Sequence, residues 1–156
     1  MKLSLCIDAP EGDNDSNIFV PPDTIAAILT EELLSLYPAA KNYESAEISL
    51  SFVSAEEIRS LNREYRNVDE PTDVLSFPLI DDEPVDVPEL PVLSLGDIVI
   101  CPEEVSRLHP ELTLHDALRL MIAHSFLHLL GYDHATEETQ AEMWALQDRI
   151  AGRLAQ

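Results

Sequence analysis

From Ala117 to Leu130 the chain is apolar nearly all the way round a helical projection, with Arg119 and two histidines as the main exceptions. Thr113 stands where a hydroxyl can cap the first turn, so the spacing predicts one long helix over residues 113–130. A helix without a polar face cannot lie on a surface. It has to run through the middle of the fold and be covered on every side.

The histidines on that helix are therefore conspicuous. His124 and His128 are four residues apart, which sets both imidazoles on one face, roughly 6 Å from each other. Gly131 follows and can take the left-handed conformation that ends helices, turning the chain back and returning His134 to the same place. Two imidazoles one turn apart in an apolar helix each need a hydrogen-bond partner, and one shared cation satisfies both. Three nitrogen ligands leave a fourth position open, which is the arrangement of a catalytic rather than a structural metal site. Imidazole suits zinc best, one ion per chain, although nickel, cobalt and copper would also bind. Three neutral ligands leave the ion its full charge, so water bound to it ionises near neutral pH and the site points to hydrolysis. Asp133 has two readings: a carboxylate that accepts a ring N–H from a ligand, or an exposed turn residue. His109 and His115 follow no ligand spacing and are expected to face solvent.

At 156 residues the chain is expected to be a single domain over residues 1–156 with a core of its own. Its apolar runs fall short of the about eighteen residues that a membrane span requires. The N-terminus alternates and does not resemble a signal peptide. Cys6 and Cys101 are the only cysteines, too few for a disulfide framework; both read as small core residues of strands, and a reducing cytoplasm fits best. Nine basic residues stand against thirty acidic ones, a formal net charge of −21. A protein that held nucleic acid through its overall field would be basic. A polyanionic substrate would instead need a local positive cleft, or a basic partner to bring it in.

Alternation predicts strands at residues 2–7 and 45–53, the second with Ile48, Leu50 and Phe52 on one side and Glu47, Ser49 and Ser51 on the other. Shorter strands follow at 74–79 and 95–101. Pro22 opens a helix that Pro38 stops. Ser54-Ala55-Glu56-Glu57 is a capping box, and the helix after it carries Ile58, Leu61 and Tyr65 inward. A brief helix is expected at 103–108 and a final one at 136–154. Residues 10–17 and the acidic, proline-rich 81–93 read as loops. Helices and strands are interspersed, which favours a mixed sheet with helices upon it. On the capping-box helix, Arg59, Arg63 and Arg66 share one stripe. In so acidic a chain this stripe is the best candidate for a positive cleft; the plainer reading is a solvated face with Arg59 paired to Glu56.

The ligand spacing also occurs in zinc proteases of the H-E-x-x-H-x-x-G-x-x-H type, but those need a glutamate after the first histidine as general base. Ser125 occupies that position here, which removes peptide hydrolysis. The stretch His124-Ser125-Phe126-Leu127-His128-Leu129-Leu130-Gly131-Tyr132-Asp133-His134 instead resembles the H-G-x-L-H-L-x-G-Y-D-H signature of the YbeY family, bacterial metal-dependent endoribonucleases of ribosomal RNA maturation. Two further segments match: Leu61-Asn62-Arg63-Glu64-Tyr65-Arg66 running into Asp69-Glu70-Pro71-Thr72-Asp73-Val74-Leu75-Ser76-Phe77-Pro78, and Leu95-Gly96-Asp97-Ile98-Val99-Ile100-Cys101. Ser125 replaces the family's glycine, where its side chain would either narrow the pocket or bond the metal-bound water.

The resemblance implies an α+β fold: a mixed four-stranded sheet with five or six helices, and a central helix carrying the ligands. It implies zinc on His124, His128 and His134, and an arginine essential for activity at Arg66. The implied function is a zinc-dependent, single-strand-specific endoribonuclease in ribosomal RNA processing and ribosome quality control. RNA precursors, ribosomal particles or a basic ribosomal protein would be its partners, with no DNA and no membrane. The chemistry agrees, because phosphodiester cleavage gathers negative charge that a guanidinium fork stabilises well. The charge of −21 motivates an alternative, a ribosome-assembly factor with a mainly structural metal. The metal site alone suggests a third, a hydrolase of a small phosphoester.

Overall fold

The computed structural model describes residues 2–8, 20–80 and 92–155. Its strands are β1 (Lys2–Asp8), β2 (Ser45–Phe52), β3 (Val74–Pro78) and β4 (Val92–Ile100). They form one mixed sheet in the order β1-β2-β4-β3, with β1, β2 and β4 parallel and β3 antiparallel to β4. Five α-helices accompany it among the described residues: α1 (Pro22–Leu36), α2 (Ala55–Arg66), α3 (Pro102–Leu108), α4 (Leu114–Leu129) and α5 (Glu137–Leu154), with a 3-10 turn at Pro38–Asn42. This is the α+β architecture that the sequence implies. None of the described helices is long and apolar enough to cross a membrane.

The alternation of β2 divides the core in two. Ala46, Ile48, Leu50 and Phe52 are buried on one face, in a large cluster with residues of α1, α4 and α5. On the other face α2 covers a small cluster of Ile58, Leu75, Val99 and Cys101. Helix α4 is central as expected, packed against α3, α5, β3 and β4. Leu118, Ile122, Phe126 and Leu127 on it have no more than 1% of their surface exposed. Both polar caps are in place, with Thr113 Oγ1 accepting from Asp116 N–H at 3.1 Å and Ser54 Oγ from Glu57 N–H at 3.2 Å.

Four local expectations differ from the structure. Val92 and Leu93 belong to β4 and not to the acidic loop, because β2 supplies their pairing partners, Ser45 and Ala46; residues 81–91 and 10–17 lie outside the described residues. Cys6 is exposed while Cys101 is buried: alternation turns Leu3 into the core and Cys6 away from it. Tyr65 remains 61% exposed: the small cluster takes in Ala55, Ile58 and Leu61 of α2 and, at its margin, Phe77, whose ring meets Tyr65 edge to face without covering it. His109 is half-buried and faces Asp73 rather than solvent.

Gly96 fixes how closely β3 and β4 approach. It has φ +139°, and a Cβ there would lie 2.3 Å from the Phe77 carbonyl oxygen and 2.9 Å from Leu129 Cδ2. It sits beside the bulge at which β2 and β4 shift register, between Glu47 and Ile48. Such bulges are used to re-aim side chains.

Candidate metal centre

The end of α4 brings the histidines together. Leu130 is the C-cap, Gly131 takes φ +99°, and two backbone bonds close the turn. Gly131 N–H donates to the His128 carbonyl at 3.0 Å and Tyr132 N–H to the Leu127 carbonyl at 3.0 Å, the paired bonds of a Schellman cap. The cap also aims the Tyr132 carbonyl back at the helix, where it accepts from His128 Nδ1–H at 2.9 Å. A carbonyl can only accept, so His128 carries its proton on Nδ1 and has a lone pair on Nε2.

His124 is held in the same sense from another element. Its Nδ1–H donates to Gln147 Oε1 on α5 at 2.7 Å. The two Nε2 atoms are then 3.0 Å apart with both lone pairs turned inward. That is repulsive by itself, and one cation between them would resolve it. His134 joins from the loop after the cap, and the three candidate ligand atoms all lie within 4.8 Å of one another. Burial pushes both His124 and His128 below the usual histidine range, and for His128 the neighbouring His124 adds to it. Both are thereby kept in the neutral form that a metal requires. The residues present fit a metal ion held by three imidazoles.

The open side of this cluster is a cavity of about 630 Å³ whose lining also includes Tyr65, Arg66, Thr72, Asp73 and Phe77. Arg66 is the last residue of α2, which ends at once because Asn67 takes the left-handed conformation, φ 59°. No described carboxylate pairs with Arg66, so its guanidinium is available to an anion in the cavity. Its two companions are engaged elsewhere. Arg59 grips Asp69 with two bonds, at 2.9 and 3.3 Å, and Arg63 stands 3.9 Å from the same carboxylate. The arginine stripe is thus divided, and Arg59 pairs with Asp69 rather than Glu56. The Arg59 guanidinium holds the Asp69 carboxyl below its usual range.

Asp73, to which the sequence assigns no role, is held on three sides. Its Oδ1 accepts from Val74 N–H at 2.8 Å and from the Thr72 hydroxyl at 3.2 Å, and its Oδ2 lies 2.9 Å from His109 Nε2. The loop between α3 and α4 thereby braces the cavity wall. Nothing in local spacing could reveal a pair 36 residues apart. Gln147 left a clearer trace: a polar residue on the inward stripe Met143, Gln147, Ile150, Leu154 of an amphipathic helix. Asp133 is exposed and accepts from Ala135 N–H at 3.2 Å, the plain turn role of its two readings. Ser125 is wholly buried, its hydroxyl has no hydrogen-bond partner, and the cavity lining does not include it. It neither narrows the pocket nor reaches a water there.

A family model described as Endoribonuclease YbeY matches residues 12–155. The endoribonuclease YbeY of Clostridioides difficile is 43% identical over 132 residues, which cover 81% of this chain and 86% of that protein. The Bacillus licheniformis endoribonuclease YbeY is 40% identical over 158 residues, covering 97% and 96% of the two. Among solved structures, the solution structure of TM1509 from Thermotoga maritima aligns with a TM-score of 0.54 at 29% identity, over 97% of this chain and 89% of that one. With its histidine cluster at the end of a buried helix and these relatives along nearly its whole length, the chain belongs to the endoribonuclease YbeY family.

Proposed function

We propose that this chain is a zinc-dependent endoribonuclease that cuts single-stranded RNA, acting as one domain in the cytoplasm on ribosomal RNA precursors and in ribosome quality control. The observation that carries the reading is the shared cavity: Arg66 and three candidate ligand imidazoles line the same 630 Å³. A zinc ion bound by His124, His128 and His134 would supply Lewis acidity toward a phosphate and its attacking oxygen. Arg66 would hold the scissile phosphate, its planar fork matching two phosphate oxygens and stabilising the charge that gathers on them. Gln147 and the Tyr132 carbonyl would fix the tautomers of two ligands.

The test is cleavage of precursor ribosomal RNA by metal-loaded wild type and by Arg66→Glu. Cuts by the wild type alone support the reading; equal cutting by both, or by neither, counts against it. The net charge of −21 favours a second reading, a ribosome-assembly factor whose metal is mainly structural. Loaded protein that cuts no RNA yet co-sediments with ribosomal particles would establish that alternative.

A further inference from the structure

Tyr65 is a large aromatic side chain left 61% exposed beside the candidate centre. It is not loose: its ring meets Phe77 edge to face, with centroids 5.2 Å apart and planes inclined by 67°. Both rings line the metal cavity, and both also line a second cleft of about 430 Å³ next to it. Tyr65 and Phe77 therefore form a ridge common to two adjoining hollows.

The two hollows differ in chemistry. The metal cavity has Arg66. Among the described residues the second cleft has no lysine or arginine; it has the hydroxyls of Ser49 and Ser51, the carboxylate of Asp97 and the apolar side of Leu61. A carboxylate without a cation repels phosphate, so a nucleic-acid backbone would not enter the second cleft. A base would, because it is uncharged, presents a flat face to an aromatic ring and offers N–H donors to hydroxyls and a carboxylate.

We propose that this second cleft is a nucleobase subsite, in which Tyr65 stacks on the unpaired base of the nucleotide next to the phosphate at Arg66. The inference rests on the endoribonuclease reading and names what that site recognises: a nucleotide whose base is free to leave its stack. A base held in a duplex cannot reach Tyr65, so the ridge discriminates against paired RNA. Asp97, an acceptor, favours bases that present an amino group.

Binding, measured apart from cleavage, tests this. A fluorescein-labelled single-stranded RNA with every sugar 2′-O-methylated is titrated with metal-loaded protein by anisotropy at low salt. Tyr65→Ala is expected to weaken binding about tenfold, as loss of one base stack does, and Tyr65→Phe to restore it. Making the oligonucleotide abasic at one position should weaken the wild type by a similar factor and leave Tyr65→Ala nearly indifferent. Unchanged affinity for Tyr65→Ala, or equal losses on the abasic strand for both proteins, overturns the subsite. A wild type that binds as described but cuts no unmodified RNA overturns the endoribonuclease reading alone, and the stacking result stands separately.

Discussion

The Nε2 atoms of His124 and His128 face each other 3.0 Å apart, because each ring gives its Nδ1–H away, one to Gln147 and the other to the Tyr132 carbonyl. The lone pairs are pre-aimed at one point. Gln147→Leu removes one of these restraints while keeping similar bulk. Metal affinity should fall about tenfold to a hundredfold, as it does when a group orienting a ligand is lost, with the fold intact. The single tryptophan reports it, since the Trp144 ring centroid lies 5.8 Å from that of His124 and 5.4 Å from that of His134. A metal titration followed by Trp144 fluorescence that gave the wild-type constant for Gln147→Leu would refute this role.

Metal-free protein should lose stability as the pH falls. His124 and His128 titrate below their ordinary value of 6.5 in the folded chain, chiefly through burial. Below that pH the unfolded chain binds more protons than the folded one, so unfolding is favoured by acid. The contribution is fully present above about pH 6.5 and declines toward the lower folded values, at no more than about 1.4 kcal/mol per pH unit for each histidine. Urea unfolding of chelated protein between pH 8 and pH 5 measures it. Replacing His124 and His128 together by Gln should flatten the dependence in that window.

Arg66 serves no structural pair among the described residues, so its replacement should separate chemistry from folding. Arg66→Ala should lower kcat for RNA cleavage about a hundredfold, the loss expected when a group that stabilises developing charge is removed. Thermal stability and the Trp144 metal titration should be unchanged. A wild-type kcat would remove Arg66 from the mechanism.

Two glycines should respond in opposite ways. A Cβ meets nothing within 4 Å at Gly131 or at Gly152, but Gly131 has φ +99°. Gly131→Ala therefore costs backbone strain of about 1–2 kcal/mol, and it disturbs the cap that aims the Tyr132 carbonyl, so metal binding weakens too. Gly152→Ala, within α5, should stabilise by about 0.5–1 kcal/mol. Chemical denaturation of both variants decides it.

What could be read from the sequence was whatever short-range periodicity encodes. The fourfold step from His124 to His128, the glycine turn and the apolar surround of α4 are all local, and each predicted its own geometry. The α+β fold followed from the resemblance together with the alternating segments. The parts that escaped come from chain pairing at a distance. Gln147 reaches His124 from 23 residues away and His109 reaches Asp73 from 36. Tyr65 has helical spacing with Ile58, yet the sheet meets its ring only through Phe77, edge to face, and leaves it 61% exposed. Arg59 prefers Asp69, beyond the end of its own helix, to Glu56 within it, because the left-handed Asn67 sends the chain back past the helix. Ser125 looked like part of the pocket because it follows a ligand, but successive helical residues point about 100° apart, and its side chain goes into the core.

One metal ion on His124, His128 and His134 would make this chain a nuclease. The most direct measurement is the rate at which chelator-stripped protein cuts a single-stranded RNA as zinc is added back. Cleavage absent without metal, rising to a plateau at one zinc per chain, is the expected result. Full cleavage by stripped protein, or none at one zinc per chain, would contradict it.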